Sequence, residues 1–230
     1  MWNGKNKAVT FSFDDGVTQD VKVIDILNKY NFKGTFNLNS SLLGLPNTLT
    51  AYAKPVCHDK VQANSVKDIY AGHEVAVHTL THPNLTTLPD QTVIYQVERD
   101  RLALSELCGY EVVGMAYPCG GVNNDDRVAK LIKENTGVKF SRTITSTKNF
   151  DLQSNYHRFN PSTYIIEDDF EEIVDKFLKL KSDKPQLLYI WGHAYEMDTE
   201  RISWEKFERI ISKLAGKEDI FYGTNKEVLL

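Results

Sequence analysis

The sequence predicts an α/β protein folded as a barrel or partial barrel of parallel strands. Three observations lead there. About seven short apolar stretches of strand character alternate with stretches of helical periodicity, the order that builds a parallel sheet. No linker, repeat or low-complexity tract divides the 230 residues, a length that α/β barrels commonly use as one domain. Polar residues capable of chemistry follow directly after several strands, where a barrel presents its site. A single domain over 1–230 is therefore expected.

The first strand is marked by Val9, Phe11 and Phe13, with Thr10 and Ser12 between them, a period of two. It runs straight into Asp14-Asp15-Gly16. Two carboxylates so close raise one another's pKa unless a cation, a donor or water compensates. Taken alone, Asp-Gly is also ordinary turn chemistry. Val21, Val23, Ile24, Leu27 and Tyr30 give the first helical face, and Lys33–Leu38 the second strand. Residues 40–64 are irregular and too long for a plain connection, which suggests a binding rim. Cys57-His58-Asp59 within this loop lacks a third spaced ligand and reads as structural.

Ser65–Ala71 is a short helix ending at Gly72, a usual residue just past a helix. Glu74–Val77 is the third strand, followed by His78-Thr79-Leu80-Thr81-His82-Pro83. Pro89–Cys108 is the clearest long helix, with Ile94, Val97, Leu104 and Leu107 on one side. Val112–Ala116 is a strand that leads into Tyr117-Pro118-Cys119-Gly120-Gly121. Asp125–Asn135 is a helix and Val138–Phe140 a short strand. Phe170, Ile173, Val174 and Phe177 mark a helix, and Leu187–Ile190 is an apolar strand leading into Trp191-Gly192-His193. Trp204, Phe207, Ile210, Ile211 and Leu214 make the last strong helix, and Ile220–Tyr222 the last strand.

Composition narrows the function classes. Hydrophobic residues at 41% and charged residues at 25% suffice for a core, and the net charge is only −4. With no basic cluster or basic amphipathic helix, neither nucleic acid nor an anionic membrane is expected as a partner. Oligomeric state is not legible. Three widely spaced cysteines without a C-x-x-C argue against a disulfide framework. No apolar run reaches the ~20 residues of a membrane span. Residues Met1 to Lys7 lack the apolar core of a signal peptide. The chain as it stands therefore reads as cytoplasmic, or as extracytoplasmic had a leader been removed.

The residues after the strands form a short list. His78 and His82, four apart and followed by Pro83, sit on an irregular turn rather than a helix. Two imidazoles with the carboxylate of Asp15 make a facial set that suits zinc, with cobalt, nickel and manganese as alternatives. His193 follows an apolar strand and a glycine, which suits either a structural histidine or a general acid. Trp191 and Tyr117 are large aromatics at strand ends, which suit either the core or stacking on a ligand. Glu196, three residues after His193, suits either orienting it, contacting a ligand, or a plain solvated position.

Phe11-Ser12-Phe13-Asp14-Asp15-Gly16, His78-Thr-Leu-Thr-His82-Pro, Tyr117-Pro118-Cys119-Gly120 and Ile-Trp-Gly-His193 together resemble the ordered motifs of the polysaccharide deacetylases, the NodB-homology or carbohydrate esterase family 4 group. The resemblance implies a distorted, TIM-like (β/α)7 barrel. It also implies a divalent-metal-dependent hydrolase that removes acetyl groups from N- or O-acetylated sugars of a carbohydrate substrate. Asp14 then resembles the catalytic base, His193 the catalytic acid, and Asp15, His78 and His82 the metal ligands. Tyr117, Pro118 and Cys119 correspond to the substrate loop, with a backbone N–H near Cys119 at the oxyanion, and for such a substrate Trp191 and Tyr117 suit either the core or stacking on a sugar ring. The alternatives are hydrolysis of another C–N amide, such as a cyclic ureide, and a carbohydrate-binding relic without catalysis. Two departures stand out. Ala116 occupies the place of an arginine that orients the base in many members, and no Asp-x-x-Asp-Trp stretch is present. Arg158, in His157-Arg158, is a candidate for the substitute cation and for substrate binding, with a plain surface or structural role as the alternative.

Overall fold

The computed structural model describes residues 2–230. The strands are β1 (Lys7–Asp14), β2 (Gly34–Leu38), β3 (Thr48–Leu49), β4 (Val56–Cys57), β5 (Glu74–Val77), β6 (Gly114–Ala116), β7 (Phe140–Arg142), β8 (Thr163–Tyr164), β9 (Gln186–His193) and β10 (Ile220–Tyr222). The α-helices are α1 (Asp20–Lys29), α2 (Val66–Ile69), α3 (Asp90–Cys108), α4 (Asp126–Asn135), α5 (Phe170–Lys179), α6 (Trp204–Ser212) and α7 (Asn225–Leu229).

Seven strands form a curled parallel half-barrel in the order β7-β6-β5-β2-β1-β9-β8, and β10 pairs with β1 off that path. This matches the expected distorted (β/α)7 barrel with one difference in membership. The seventh strand on the path is β8, which the periodicity does not reveal. The expected last strand, β10, is instead a branch beside the first residues of β1. The gap between β7 and β8 is spanned by residues 155–162. Phe159 N–H donates to Ser141 O, and Ser162 N–H donates to Tyr189 O.

β1 is the axis of this arrangement. It pairs with β9 along its whole length, and on its other side with β10 first and β2 afterwards. All eight of its residues are buried, so its alternation does not divide core from solvent. It divides two interiors. Val9, Phe11 and Phe13 pack in the layer shared with Val23, Leu27 and Phe207 of α1 and α6. Ala8 belongs to a second cluster with Trp2, Val113, Phe140, Leu187, Tyr189, Val228 and Leu229, inside the curled sheet. Thr10 and Ser12 join Asn225, Asn37 and Arg142 in a buried hydrogen-bond network. Buried polar groups persist where they find partners, and here the network runs along β1 up to Asp14.

Helix ends follow local rules. The Asp125 side chain caps α4 by accepting from Val128 N–H, Ser203 caps α6, and Thr224 with Glu227 forms a reciprocal capping box on α7. α3 stops at Gly109, whose φ of 76° a residue with a Cβ adopts reluctantly. Val21, expected on the buried face of α1, is instead 45% exposed; at about 100° per residue it falls on the side opposite Val23, and the apolar stripe runs through Val23, Ile24, Ile26 and Leu27. No helix among the described residues is long and apolar enough to cross a membrane.

Candidate active site

The C-terminal strand ends meet on one rim. The register pairs Asp14 with Asn37 of β2 and with His193 of β9. Ala116 pairs with Arg142, and Tyr164 with Trp191. A cavity of ≈ 390 Å³ opens there, lined by Asp14, Asp15, His78, His82, Tyr117, Cys119, Gly120, Ile144, Tyr164, Trp191, His193 and Tyr195. That volume lies in the ~300–1,000 Å³ range of small-molecule sites.

The backbone at this rim departs from ordinary conformations. Asp15, Thr79, His82 and Cys119 all have φ between 61° and 83°. Left-handed non-glycine residues cost about 1–3 kcal/mol each and persist where the surroundings over-determine them. Here the surroundings are specific. Asp15 N–H donates to Asn37 O, and Lys60 Nζ donates to Asp15 O at 2.8 Å.

Asp14, the expected base, is 1% exposed. Arg142 Nη2 lies 2.5 Å from both of its carboxylate oxygens, and Asn37 Nδ2 donates to Oδ1 at 2.9 Å. Burial alone would raise the carboxyl. The Arg142 charge and hydrogen bond, with the His193 charge beside them, outweigh burial and hold it below the ordinary carboxylate range. Arg158 does not perform this task. Its guanidinium donates to Asn124 and Asp126, and it does not line the cavity. The orienting cation reaches Asp14 from the strand beside Ala116, at Ala116's own level in the register. Arg142 is fully buried and carries the Trp191 ring 4.5 Å from its guanidinium carbon.

Asp15 turns the other way. Its Oδ1 lies 3.4 Å from His82 Nε2 and 3.8 Å from His78 Nε2, and Oδ2 lies 3.1 Å from His58 Nε2. Asp15, His78 and His82 form a cluster whose ligand atoms all fall within 4.8 Å of one another. Two donors bound tetrahedrally to one zinc ion stand about 3.4 Å apart, so the set fits a first-row divalent ion. The proton positions fit as well. His78 Nδ1 faces the Ala116 carbonyl at 2.9 Å and donates to it, which leaves the Nε2 lone pair towards Asp15. Burial pushes His78 down to about 4, against the pull of Asp14, so the ring is neutral as a ligand must be. Burial would raise Asp15 too, but the His58 hydrogen bond, with the His193 and Lys60 charges, holds it well below the usual range.

His193 meets the carboxylate of Glu196, which is buried rather than solvated. Glu196 Oε2 lies 3.5 Å from His193 Nδ1 and accepts from His193 N–H at 3.0 Å. Tyr164 OH donates to Glu196 Oε1 and lies 3.3 Å from His193 Nδ1. Burial lowers the imidazole's affinity for a proton. The Glu196 charge and hydrogen bond, then Asp15 and Asp14, more than reverse this and push His193 up to about 9.

The remaining expected residues divide. Cys119 lines the cavity with its Sγ 3.9 Å from His82 Nδ1. Pro118 is buried beneath it and does not line the cavity. Tyr117 is buried, and its hydroxyl is committed to the His157 carbonyl. Trp191 lines the cavity but is 4% exposed. Tyr164 stacks on it at 4.0 Å between ring centres. Two groups that close to one ring must take opposite faces, so Tyr164 and Arg142 leave no face of Trp191 for a sugar. Asn123, which the sequence does not single out, donates from one amide nitrogen to the carbonyls of Tyr117, Pro118 and Cys119 and sets the loop's curl.

With this geometry in view, the comparisons with known proteins agree. Residues 3–140, more than half of the chain, match the family model described as polysaccharide deacetylase. The peptidoglycan-N-acetylglucosamine deacetylase PgdA of Listeria monocytogenes is 28% identical over 152 residues, which is 65% of this chain and 28% of that protein. The chain thus spans under a third of the curated relative it matches. Among solved structures, a Mycobacterium smegmatis protein assigned to the polysaccharide deacetylases is 18% identical with a TM-score of 0.68, covering 98% of this chain and 89% of that one. The Xyl-CE4 domain of a multidomain xylanase from the hindgut metagenome of Trinervitermes trinervoides is 20% identical with a TM-score of 0.59, covering 97% and 89%. At these identities the structural likeness speaks for the fold alone. The family match, together with the ordered motifs on the rim, makes this chain a member of the polysaccharide deacetylase family.

Proposed function

We propose that this chain is a metal-dependent hydrolase that releases acetate from N- or O-acetylated sugars of a glycan. The observation that carries the reading is the division of labour between two adjacent aspartates: Asp15 faces two neutral imidazole nitrogens, while Asp14 faces a buried arginine. Asp15, His78 and His82 would hold a divalent ion, zinc first by the chemistry of the donors. Such an ion supplies a Lewis acid that polarises the acyl oxygen and makes water acidic near neutral pH.

The chain's own residues supply the proton transfers. Asp14 stays ionised because Arg142 neutralises it, so its carboxylate can take a proton as water attacks the acetyl carbon. His193 is charged at neutral pH because Glu196 faces its Nδ1, which leaves Nε2 to protonate the departing amine or alcohol. Environments that push two titratable groups in opposite directions are the usual mark of an acid and base pair. The left-handed turn at Cys119, clamped by Asn123, brings backbone to the same rim, where an N–H would stabilise the tetrahedral oxyanion.

The Listeria relative's name makes N-acetylglucosamine-containing glycan the first substrate to assay. Zinc-loaded protein should release acetate from N-acetylglucosamine oligomers, and Asp14→Asn and His78→Ala should each lower kcat/KM at least ~100-fold. Activity unchanged in both variants would reject the reading.

A further inference from the structure

Beneath Asp15 lies a polar relay built entirely from the long loop between β2 and α2. His58 is 8% exposed, and its ring sits edge-on against Tyr195 at 4.9 Å between centroids. Its Nε2 is 3.1 Å from Asp15 Oδ2, and its Nδ1 is 3.1 Å from Asn47 Nδ2. Asn47 Oδ1 in turn accepts from Thr48 N–H at 2.9 Å. These contacts fix the direction of the whole chain. Because the Asn47 oxygen is engaged by a backbone donor, its amide nitrogen must face the imidazole, and it donates to Nδ1. Nδ1 is then an acceptor, so the ring proton sits on Nε2 and is donated to Asp15. The antiparallel β3–β4 pair and the backbone bond from His58 N–H to Asn47 O hold the two residues in register.

Asp15 needs such a partner because its other oxygen has competitors. Lys60 Nζ, from the same loop, stands 3.7 Å from Oδ1, the oxygen that faces His78 and His82. A carboxylate without a fixed donor on Oδ2 is free to rotate towards that ammonium or to offer both oxygens to an ion. With Oδ2 bonded to His58, Oδ1 stays aimed at the two histidines.

We propose that the Asn47–His58 relay positions Asp15 as a one-oxygen ligand and thereby sets the site's affinity for its divalent ion. This rests on the metal-dependent reading above. His58 is a positioning residue, not a ligand: the cluster able to hold an ion comprises Asp15, His78 and His82. Outer partners of ligands typically contribute 10–100-fold in affinity.

The test is the zinc dissociation constant of the full chain, measured by competition with a chromogenic chelator, alongside the thermal midpoint of the metal-stripped protein. His58→Leu should weaken zinc about 10–100-fold. His58→Gln, whose amide can donate to Oδ2, should recover most of that loss. Equal zinc affinity in wild type and His58→Leu overturns the proposal. So does an equal loss in the Leu and Gln variants that tracks their thermal midpoints, since that is what a merely structural residue gives. Should His58→Leu not fold, Asn47→Ala carries the same test by freeing the tautomer: weaker zinc supports the relay and unchanged zinc overturns it. A wild-type chain that takes no zinc at all rejects the metal seat itself, a result distinct from failure of the relay alone.

Discussion

Asp14 and Asp15 share a peptide bond and little else. One is clamped by Arg142 and Asn37, the other is shared among three histidines. Adjacent residues on a strand point to opposite sides, and the positive φ of Asp15 turns it further, out of the strand and towards His78 and His82. Arg142 is the residue on which the base depends. In Arg142→Gln, burial acts on Asp14 without its main counter-charge, so its pKa rises. The acid limb of the kcat/KM profile for acetate release should then move to higher pH, with kcat reduced ~100-fold or more. An acid limb that stays in place would show that Asp14 is not the titrating base. The residues Asp14, Asp15, His78, His82 and His193 are legible in the sequence because each lies at the end of a strand that its periodicity reveals or in the turn just beyond it. Arg142 is not, because Val138–Phe140 reads as a strand ending two residues too early. Extended to Arg142, the same strand delivers a cation to the rim.

At the scale of elements, long and regular pieces are legible, and short ones with distant partners are not. β1, β2, β5, β9, α3 and α6 follow from apolar spacing alone. β8 has two residues, α7 five, and the β3–β4 pair two each. β8 pairs with β9 and α7 packs against β1, both far away in the chain, while β3 and β4 pair locally but are too short for any period to mark them. The loop read as a binding rim contributes no residue to the cavity lining and meets Asp15 through His58 and Lys60.

Elements are also joined by buried titratable groups. Asp20, the first residue of α1, accepts from Tyr70 OH at 2.7 Å, just past the end of α2, and its other oxygen has no partner among the described residues. Burial, offset in part by the Tyr70 bond, pushes Asp20 up to about 8. A folded-state value raised above the ordinary 3.8 means the native state holds its proton more tightly. The stability from this group is therefore full at low pH and lost as pH rises through about 8. Glu74, at about 7, and His193, at about 9, act in the same direction. Asp14, Asp15 and His78 are shifted down and lose stability only as pH falls. The urea midpoint of the wild type should thus fall between pH 6 and 9. Asp20→Asn, which keeps an acceptor for Tyr70, should fall less steeply. Parallel curves would mean that Asp20 is ionised in the folded protein.

For the molecule as a whole, alternation of strand and helix was enough to read the class of fold, and the strand ends enough to read the rim. What the alternation does not convey is that the sheet separates two interiors, one apolar beneath the helices and one partly polar within the curl. The polar interior holds Ser12, Asn37 and Arg142, and so supports Asp14 from behind. The apolar layer keeps β1 and its neighbours rigid enough to present both aspartates. The account's central claim is that these two aspartates have separate roles, one towards an ion and one towards a proton. Elemental analysis of three purified proteins tests it most directly. Wild type and Asp14→Asn should each retain one divalent ion per chain, with Asp14→Asn inactive, while Asp15→Asn should lose the ion. Loss of the ion from Asp14→Asn, or its full retention in Asp15→Asn, would contradict the claim.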